Sequence, residues 1–346
     1  MKFLSDRVIG HLRKVGDYPD LAGTKYRLAG HLGRGGMGSV YLVEDRELGR
    51  QAALKVLSDP DPGSHLSDRL VQEARHLARL EHPNIVPVHD VGRLPDGRVF
   101  YVMKYIDGER LDAWRAGNPG RGAVLRMFRK ICEAAAFAHD RGVVHRDLKP
   151  ENVMIGSFGE AVVMDWGVAK ALTTEERPGT GIQTETGGRR ATAHGTVMGT
   201  PAYMAPEQAR GEVDRIDGRT DVYALGAVLY FLLSGSHPSD TVVETRGPGA
   251  GKWAPVVPLR EVAAEVPRPL ESICARAMAE DPGQRYMTPL AMAEDVDRYL
   301  DGMPVTAHAE SWLEKIARFT SRHRAVILLI LAYLVMRLLV LFLAGR

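Results

Sequence analysis

The chain has 346 residues, 45% of them hydrophobic and 25% charged, which is the usage of a folded globular protein with material for one large core or two smaller ones. Its 45 basic and 43 acidic residues leave a formal charge of +2, so no global field draws it to nucleic acid and no nucleic-acid partner is expected. Cys132 and Cys274 stand too isolated for a disulfide framework or a zinc site and read as buried side chains in a reducing compartment.

Residues 1–25 begin MKFLSDR and lack the apolar stretch of a secretory signal, so this N-terminal extension is expected to stay inside the cell. Over residues 26–104 the runs SVYLVED, QAALKVL, IVPVHDVG and RVFYVMKY read as strands parted by Gly, Asp and Pro turn signals. One helix, SDRLVQEARHLARLEH, interrupts them, with Leu70, Ala74, Leu77 and Leu80 at helical spacing. Residues 105–300 change to long helical periods, AVLRMFRKICEAAAFAHDRG and TDVYALGAVLYFLLSG, divided by a Gly- and Thr-rich stretch at 173–200. A small sheet-rich lobe followed by a larger helical one, hence an α+β chain, is predicted.

Residues 301–324 form a linker in which Trp312, Leu313, Ile316 and Phe319 share one helix face beside Lys315, Arg318 and Arg322. That pattern suits a helix lying on an anionic surface, and the plain alternative is a solvated linker helix. Residues 325–343 are an almost unbroken apolar run whose helix would extend ~28 Å, close to the ~30 Å of a hydrocarbon core. Arg337 opposes insertion by roughly 3 kcal/mol near the bilayer centre, but the Leu, Ile, Val and Phe residues at roughly −0.4 kcal/mol each outweigh it. Arg318, Arg322 and Arg324 precede the run and Arg346 follows it, so the positive-inside rule keeps the preceding residues cytoplasmic. The expectation is a single-pass protein of the inner membrane, in contact with lipid through this helix, with 344–346 as a tail.

Gly33, Gly35 and Gly38 make G-x-G-x-x-G, a spacing that opens a helix in dinucleotide-binding folds. Here SVYLVED continues as a strand, so the glycines fall at a hairpin tip whose backbone N–H groups can approach phosphate, although an ordinary turn would use them too. Lys55 projects from the strand QAALKVL beside this loop. Glu73 shares a helix face with Leu70, Leu77 and Leu80 and so points inward, where a carboxylate needs a cation, and Lys55 is the natural candidate. In HRDLKPEN, residues 145–152, Asp147 offers a carboxylate to a reacting hydroxyl, Asn152 an amide oxygen to a cation, and Lys149 a charge to a transferring phosphoryl group. Asp165-Trp166-Gly167, after AVVM, supplies a second hard oxygen ligand suited to Mg²⁺.

In this order and spacing, residues 26–300 resemble the eukaryotic-type protein kinase domain, particularly its bacterial serine/threonine branch. LGRGGMGSV is similar to the Gly-rich loop, AALK to the lysine strand, HRDLKPEN to the catalytic loop, DWG to the metal-binding DFG and APE to the end of the activation segment. The resemblance implies a two-lobed fold and a cofactor pair of ATP with Mg²⁺, or Mn²⁺ in its place. It implies that Leu32, Gly33, Arg34, Gly35, Gly36, Met37, Gly38, Ser39 and Val40 cover the nucleotide, that Lys55 paired with Glu73 grips its phosphates, and that Met103, as gatekeeper, with the backbones of Lys104 and Ile106 meets the base. Asp147, with Lys149, is implied as catalytic, and Asn152 and Asp165 as metal ligands. Glu207 is expected to pair with Arg285, and Asp221 to brace the catalytic loop.

Lys149 and Thr200 in GTPAYMAPE imply serine/threonine rather than tyrosine specificity, and that segment implies protein substrates with Ser or Thr acceptors. Arg146 and Lys170 would form a cationic pocket for a phosphate on Thr192 or Thr196, made by autophosphorylation. Trp166 replaces the usual Phe, Lys104 replaces a common acidic hinge residue, and no extracellular sensor domain is expected beyond the apolar run. A homodimer, through the N-lobe or the last helix, is a family expectation. Two other classes compete: a membrane-tethered pseudokinase scaffold, whose mark would be loss of Lys55, Asp147 or Asp165, and a small-molecule phosphotransferase.

Overall fold

The computed structural model describes residues 18–35, 38–57, 71, 74–75, 77–166, 201–238, 256–312, 314–316 and 324–344. Strands β1 (Tyr26–Gly35), β2 (Gly38–Asp45), β3 (Arg50–Leu57), β4 (Val88–Arg93) and β5 (Val99–Lys104) pair antiparallel in the order β1-β2-β3-β5-β4. Strand β3 is buried on both faces because its alternate residues enter different cores. Ala52, Leu54 and Val56 pack with Tyr26, Val43, Phe100 and Val102, whereas Ala53 and Leu57 pack with Tyr101, Met103 and Val162. Lys55 lies on the second of these faces.

The strand expected from Ile85 begins only at Val88. Pro87 has no N–H to give to a ladder, and its carbonyl accepts from Lys104 N at 3.0 Å. Ile85 makes an isolated parallel bridge to Val163 instead. Of the helix expected in SDRLVQEARHLARLEH, the described part includes the bond from Ala78 N to Ala74 O at 3.0 Å. Glu73 lies outside the described residues, as do Gly167, Lys170, Thr192, Thr196 and Thr200.

After β5 come a three-stranded sheet, β6 (Gly108–Arg110), β7 (Val153–Gly156) and β8 (Ala161–Val163), and helices α1 (Leu111–Ala116) and α2 (Arg121–Asp140). Helix α2 buries Val124, Leu125, Phe128, Ile131, Cys132 and Ala135, a stripe at the 3.6-residue period. Helix α3 (Gly218–Ser234) is enclosed on every side, with each residue from Thr220 to Leu233 buried. Asp217 caps its start by accepting from Arg219 N at 2.8 Å, and Gly235 ends it in the left-handed region at φ 78°. Helices α4 (Arg268–Ala277) and α5 (Pro289–Leu300) complete the larger core. Both cysteines are buried, and burial pushes both thiols up from their ordinary value.

Two buried polar clusters tie this lobe together. Arg285 meets Glu207 in a two-pronged pair, Nη1 to Oε1 and Nη2 to Oε2 at 2.8 Å each, and also donates to the carbonyls of Ala279, Arg219 and Glu280. Asp295, on α5, accepts from Tyr286 Oη at 2.8 Å, from Thr306 N and Oγ1 at 2.7 Å each, and from Ala307 N at 3.0 Å. It thereby straps the segment after α5 to the lobe. Replacing Asp295 by Ala orphans four donors at a site that is 1% exposed, and is expected to lower stability by about 3 kcal/mol in urea unfolding and to open the segment around Thr306 to protease.

A last helix, α6 (Arg324–Ala344), covers the apolar run. Its side chains are described over residues 327–337, and among the described residues no helix is long and apolar enough to cross a membrane.

Candidate active site

The loop between α2 and β7 is shaped by a carboxylate in the first turn of α3. Asp221, fully buried, accepts from His145 N and Arg146 N at 2.8 Å each and meets His139 Nε2 at 2.7 Å. Arg146 takes a left-handed backbone, φ 65°, which turns the chain so that these two N–H groups converge. His145 is fixed in one tautomer. Its Nε2 faces Met164 O at 2.9 Å, and a carbonyl only accepts, so Nε2 carries the proton while Nδ1 accepts from Asp147 N at 3.2 Å. Burial lowers the His145 pKa against the opposing charge of Asp221, in keeping with a neutral ring.

Asp147 Oδ2 lies 3.2 Å from Lys149 Nζ. Asn152 Nδ2 donates to Asp147 O at 2.7 Å, which leaves the amide oxygen of Asn152 as the group for a cation. Met164 is bonded to the same loop from both of its polar atoms, its N–H to Asn152 O at 2.8 Å and its carbonyl to His145. Asp165, the next residue, is left-handed at φ 55°, and its Oδ1 accepts from Lys55 Nζ at 2.5 Å. Three stretches far apart in sequence, around positions 55, 147 and 165, therefore meet at one place.

Lys55 is 5% exposed. Burial alone would lower its pKa, but Tyr101 and Asp165, by charge and by hydrogen bonding, raise it above the ordinary lysine value, so the ammonium stays charged. Tyr101 stands directly across from Lys55 in the β3–β5 register. Its hydroxyl is pushed up to about 12, chiefly by burial, with Lys55 opposing and Asp165 adding to the shift. Trp166 is buried, donates from Nε1 to Val163 O at 3.3 Å, and sets its ring 4.8 Å from that of His145. The lobe thus accommodates the larger ring in place of Phe.

Gly33, Gly35 and Gly38 occupy the ends of β1 and β2. At Gly38, φ 142°, a Cβ would collide with the carbonyl of Val56, so the fold itself demands glycine there. Among the described residues a Cβ at Gly33 or Gly35 would meet nothing within 4 Å, and neither has a left-handed backbone, so they leave the loop open to close approach. Gly36 and Met37 lie outside the described residues. Leu32 is exposed beside the loop, while Val40 packs on the core that holds Met103 and Ile106. The side chain of Lys104 is exposed and its N–H is occupied by Pro87.

Mg²⁺ takes hard oxygens, usually one or two carboxylates with substrate phosphates. Asp165 and the free amide oxygen of Asn152 fit that donor set. Among the described residues no group of three or more His, Cys, Asp or Glu is gathered, so a cation here would draw further ligands from a nucleotide.

Residues 26–295 match the model of the protein kinase domain. The chain belongs to that family. Among relatives within the kinase family, the serine/threonine-protein kinase PknD of Chlamydia abortus is 35% identical over 314 residues, covering 85% of this chain and 32% of that protein. The serine/threonine-protein kinase PknB of Mycolicibacterium smegmatis is 37% identical over 294 residues, covering 82% of this chain and 44% of that protein. This chain therefore spans less than half the length of these curated relatives. The crystal structure of the Mycobacterium tuberculosis PknI kinase domain superposes with a TM-score of 0.60 at 28% identity, covering 79% of this chain and 96% of that one. The two-lobed kinase fold, a sheet-rich N-lobe and a helical C-lobe in the bacterial branch, is thus established.

The structure brings Lys55, Asp147, Lys149, Asn152 and Asp165 together, and pairs Glu207 with Arg285. Lys55 meets Asp165 and Tyr101, whereas the expected contact with Glu73 falls outside the described residues. Tyr101 was missed by sequence reasoning. Its signal is its place two residues before Met103, hence on the same strand face, in a run otherwise apolar.

Proposed function

We propose that this chain is a serine/threonine protein kinase that transfers the γ-phosphoryl group of ATP to Ser or Thr of protein substrates in bacterial signalling. The observation that carries the reading is the meeting of Lys55 with Asp165 on one side and the hydrogen bonding of Met164 to the Asp147 loop on the other. Lys55 holds the α- and β-phosphates, Gly33 and Gly35 let backbone N–H groups approach them, and Met103, Lys104 and Ile106 line the base. Asp147 orients the acceptor hydroxyl and takes its proton, while Lys149 balances charge on the transferring group. Magnesium, held by Asn152 and Asp165, would supply neutralisation of the phosphate oxygens. The chain's own contribution is positioning and a fixed electrostatic field. Retention of Lys55, Asp147 and Asp165 in one cluster disfavours the scaffold reading.

We further propose that 26–104 and 105–300 act as the two lobes and that residues 325–343 anchor them to the inner membrane. From Leu328 to Met336 the large apolar side chains are 47% to 71% exposed, on all sides of α6, which suits a lipid solvent. Trp312 and Ile316, both exposed, lie one helical turn apart on the preceding segment and suit the bilayer surface.

The test is incubation of the full chain in detergent with labelled ATP, Mg²⁺ and a generic protein acceptor. Label is expected on Ser and Thr of the acceptor and on Thr192 or Thr196 of the chain itself. Label on small molecules alone, or none, overturns the reading.

A further inference from the structure

Tyr101 is 4% exposed and stands in register opposite Lys55, so the two side chains leave the sheet on the same face as direct cross-strand neighbours. Tyr101 lines a small cavity whose other described walls are Leu77, Leu80, Ile85, Val86, Val88 and Trp166, with Asp165 as the acidic exception among them. A phenol in such surroundings needs a polar partner, and among the described residues the Lys55 ammonium stands directly across from it, close enough for each group's charge to shift the other. An ammonium has three N–H groups. Asp165 takes one of them, and the Tyr101 hydroxyl is placed across the strand pair to take a second.

Resting on the kinase reading, we propose that Tyr101 is a positioning residue for Lys55, its hydroxyl holding the ammonium between β5 and Asp165 before nucleotide arrives. Lysine carries a flexible four-carbon stem, and a side chain already ordered loses less freedom when phosphate binds. Without the hydroxyl, the competent orientation of Lys55 is a smaller fraction of the ensemble, and apparent affinity for ATP falls by that fraction. Once phosphates are bound they hold the ammonium themselves, so the chemical step changes little.

The experiment compares Tyr101→Phe with wild type in the full chain, reading KM for ATP, kcat, and the Kd for ATP by calorimetry. Phe keeps the ring and its packing and removes only the hydroxyl. The expected result is a rise of about threefold to tenfold in KM and Kd, with kcat within about twofold. Tyr26→Phe is the control, since it removes another buried tyrosine's hydrogen bond, 2.8 Å to Asp90, on the opposite face of the sheet, and is expected to leave KM unchanged. Unchanged KM and Kd in Tyr101→Phe, or an equal rise in Tyr26→Phe, overturns the proposal. A wild-type chain that binds ATP but transfers no phosphoryl group overturns the kinase reading, and the Kd comparison then decides on Tyr101 alone.

Discussion

Asp147→Asn is expected to lower kcat by about 10²- to 10⁴-fold while leaving the Kd for ATP within about twofold. An Asn at 147 is nearly the same shape as Asp and cannot take a proton from an acceptor hydroxyl. Apart from the ion pair with Lys149, it leaves the surrounding frame alone. Asn152 is held mainly by the backbone carbonyl of residue 147, at 2.7 Å, and only weakly by the carboxylate, at 3.3 Å, so the amide oxygen offered to a cation keeps its place. The loop itself is shaped by Asp221, which grips His145 and Arg146 through their N–H groups and makes no use of the 147 side chain. Steady-state kinetics with a protein acceptor and calorimetric ATP titration separate the two effects. Full activity in the variant removes Asp147 as the base, and lost ATP binding removes the argument that the loop stands without its carboxylate.

Glu207→Ala carries the largest expected stability effect, a loss of about 3–5 kcal/mol in urea unfolding. Arg285 is 2% exposed and would keep its charge in the core with both prongs of its main partner gone. A double variant that also replaces Arg285 by Met is expected to recover much of the loss, because removing both charges leaves no buried ion unpaired. No recovery would mean that the other carbonyl contacts of Arg285, not its charge, dominate. The pair also sets a direction in pH. Burial pushes the Glu207 carboxyl up, but the hydrogen bonds and charge of Arg285 outweigh it and hold the folded-state pKa below the ordinary glutamate value. Its stabilisation is therefore present above the unfolded pKa and is lost as pH falls through the folded one.

Local strings in the sequence announced the chemistry because that chemistry needs fixed short spacings. HRDLKPEN puts Asp147, Lys149 and Asn152 within one loop, and the glycines of LGRGGMGSV fall where β1 turns into β2. The caps of α3, Asp217 and Gly235, are local in the same sense, adjoining the apolar period. What was not legible depends on register between separated segments. The pairing of Lys55 with Tyr101 follows from how β3 slides against β5, which no local pattern states. The strand starts at Val88 instead of Ile85 because of Pro87, whose missing N–H bars it from the ladder. In the sequence Asp295 stands beside Glu294 and Asp297 with nothing local to set it apart. Only the fold shows four donors from Tyr286, Thr306 and Ala307 closing on it.

That closure at Asp295 bears on where the cleft can go. Because Thr306 and Ala307 are pinned to the C-lobe, the span from His308 to Arg324 reaches at most ~55 Å even if fully drawn out. With α6 embedded as proposed, the catalytic face sweeps a shallow dome next to the bilayer, and acceptors held on that surface meet it at a far higher local concentration than acceptors adrift in the cytosol.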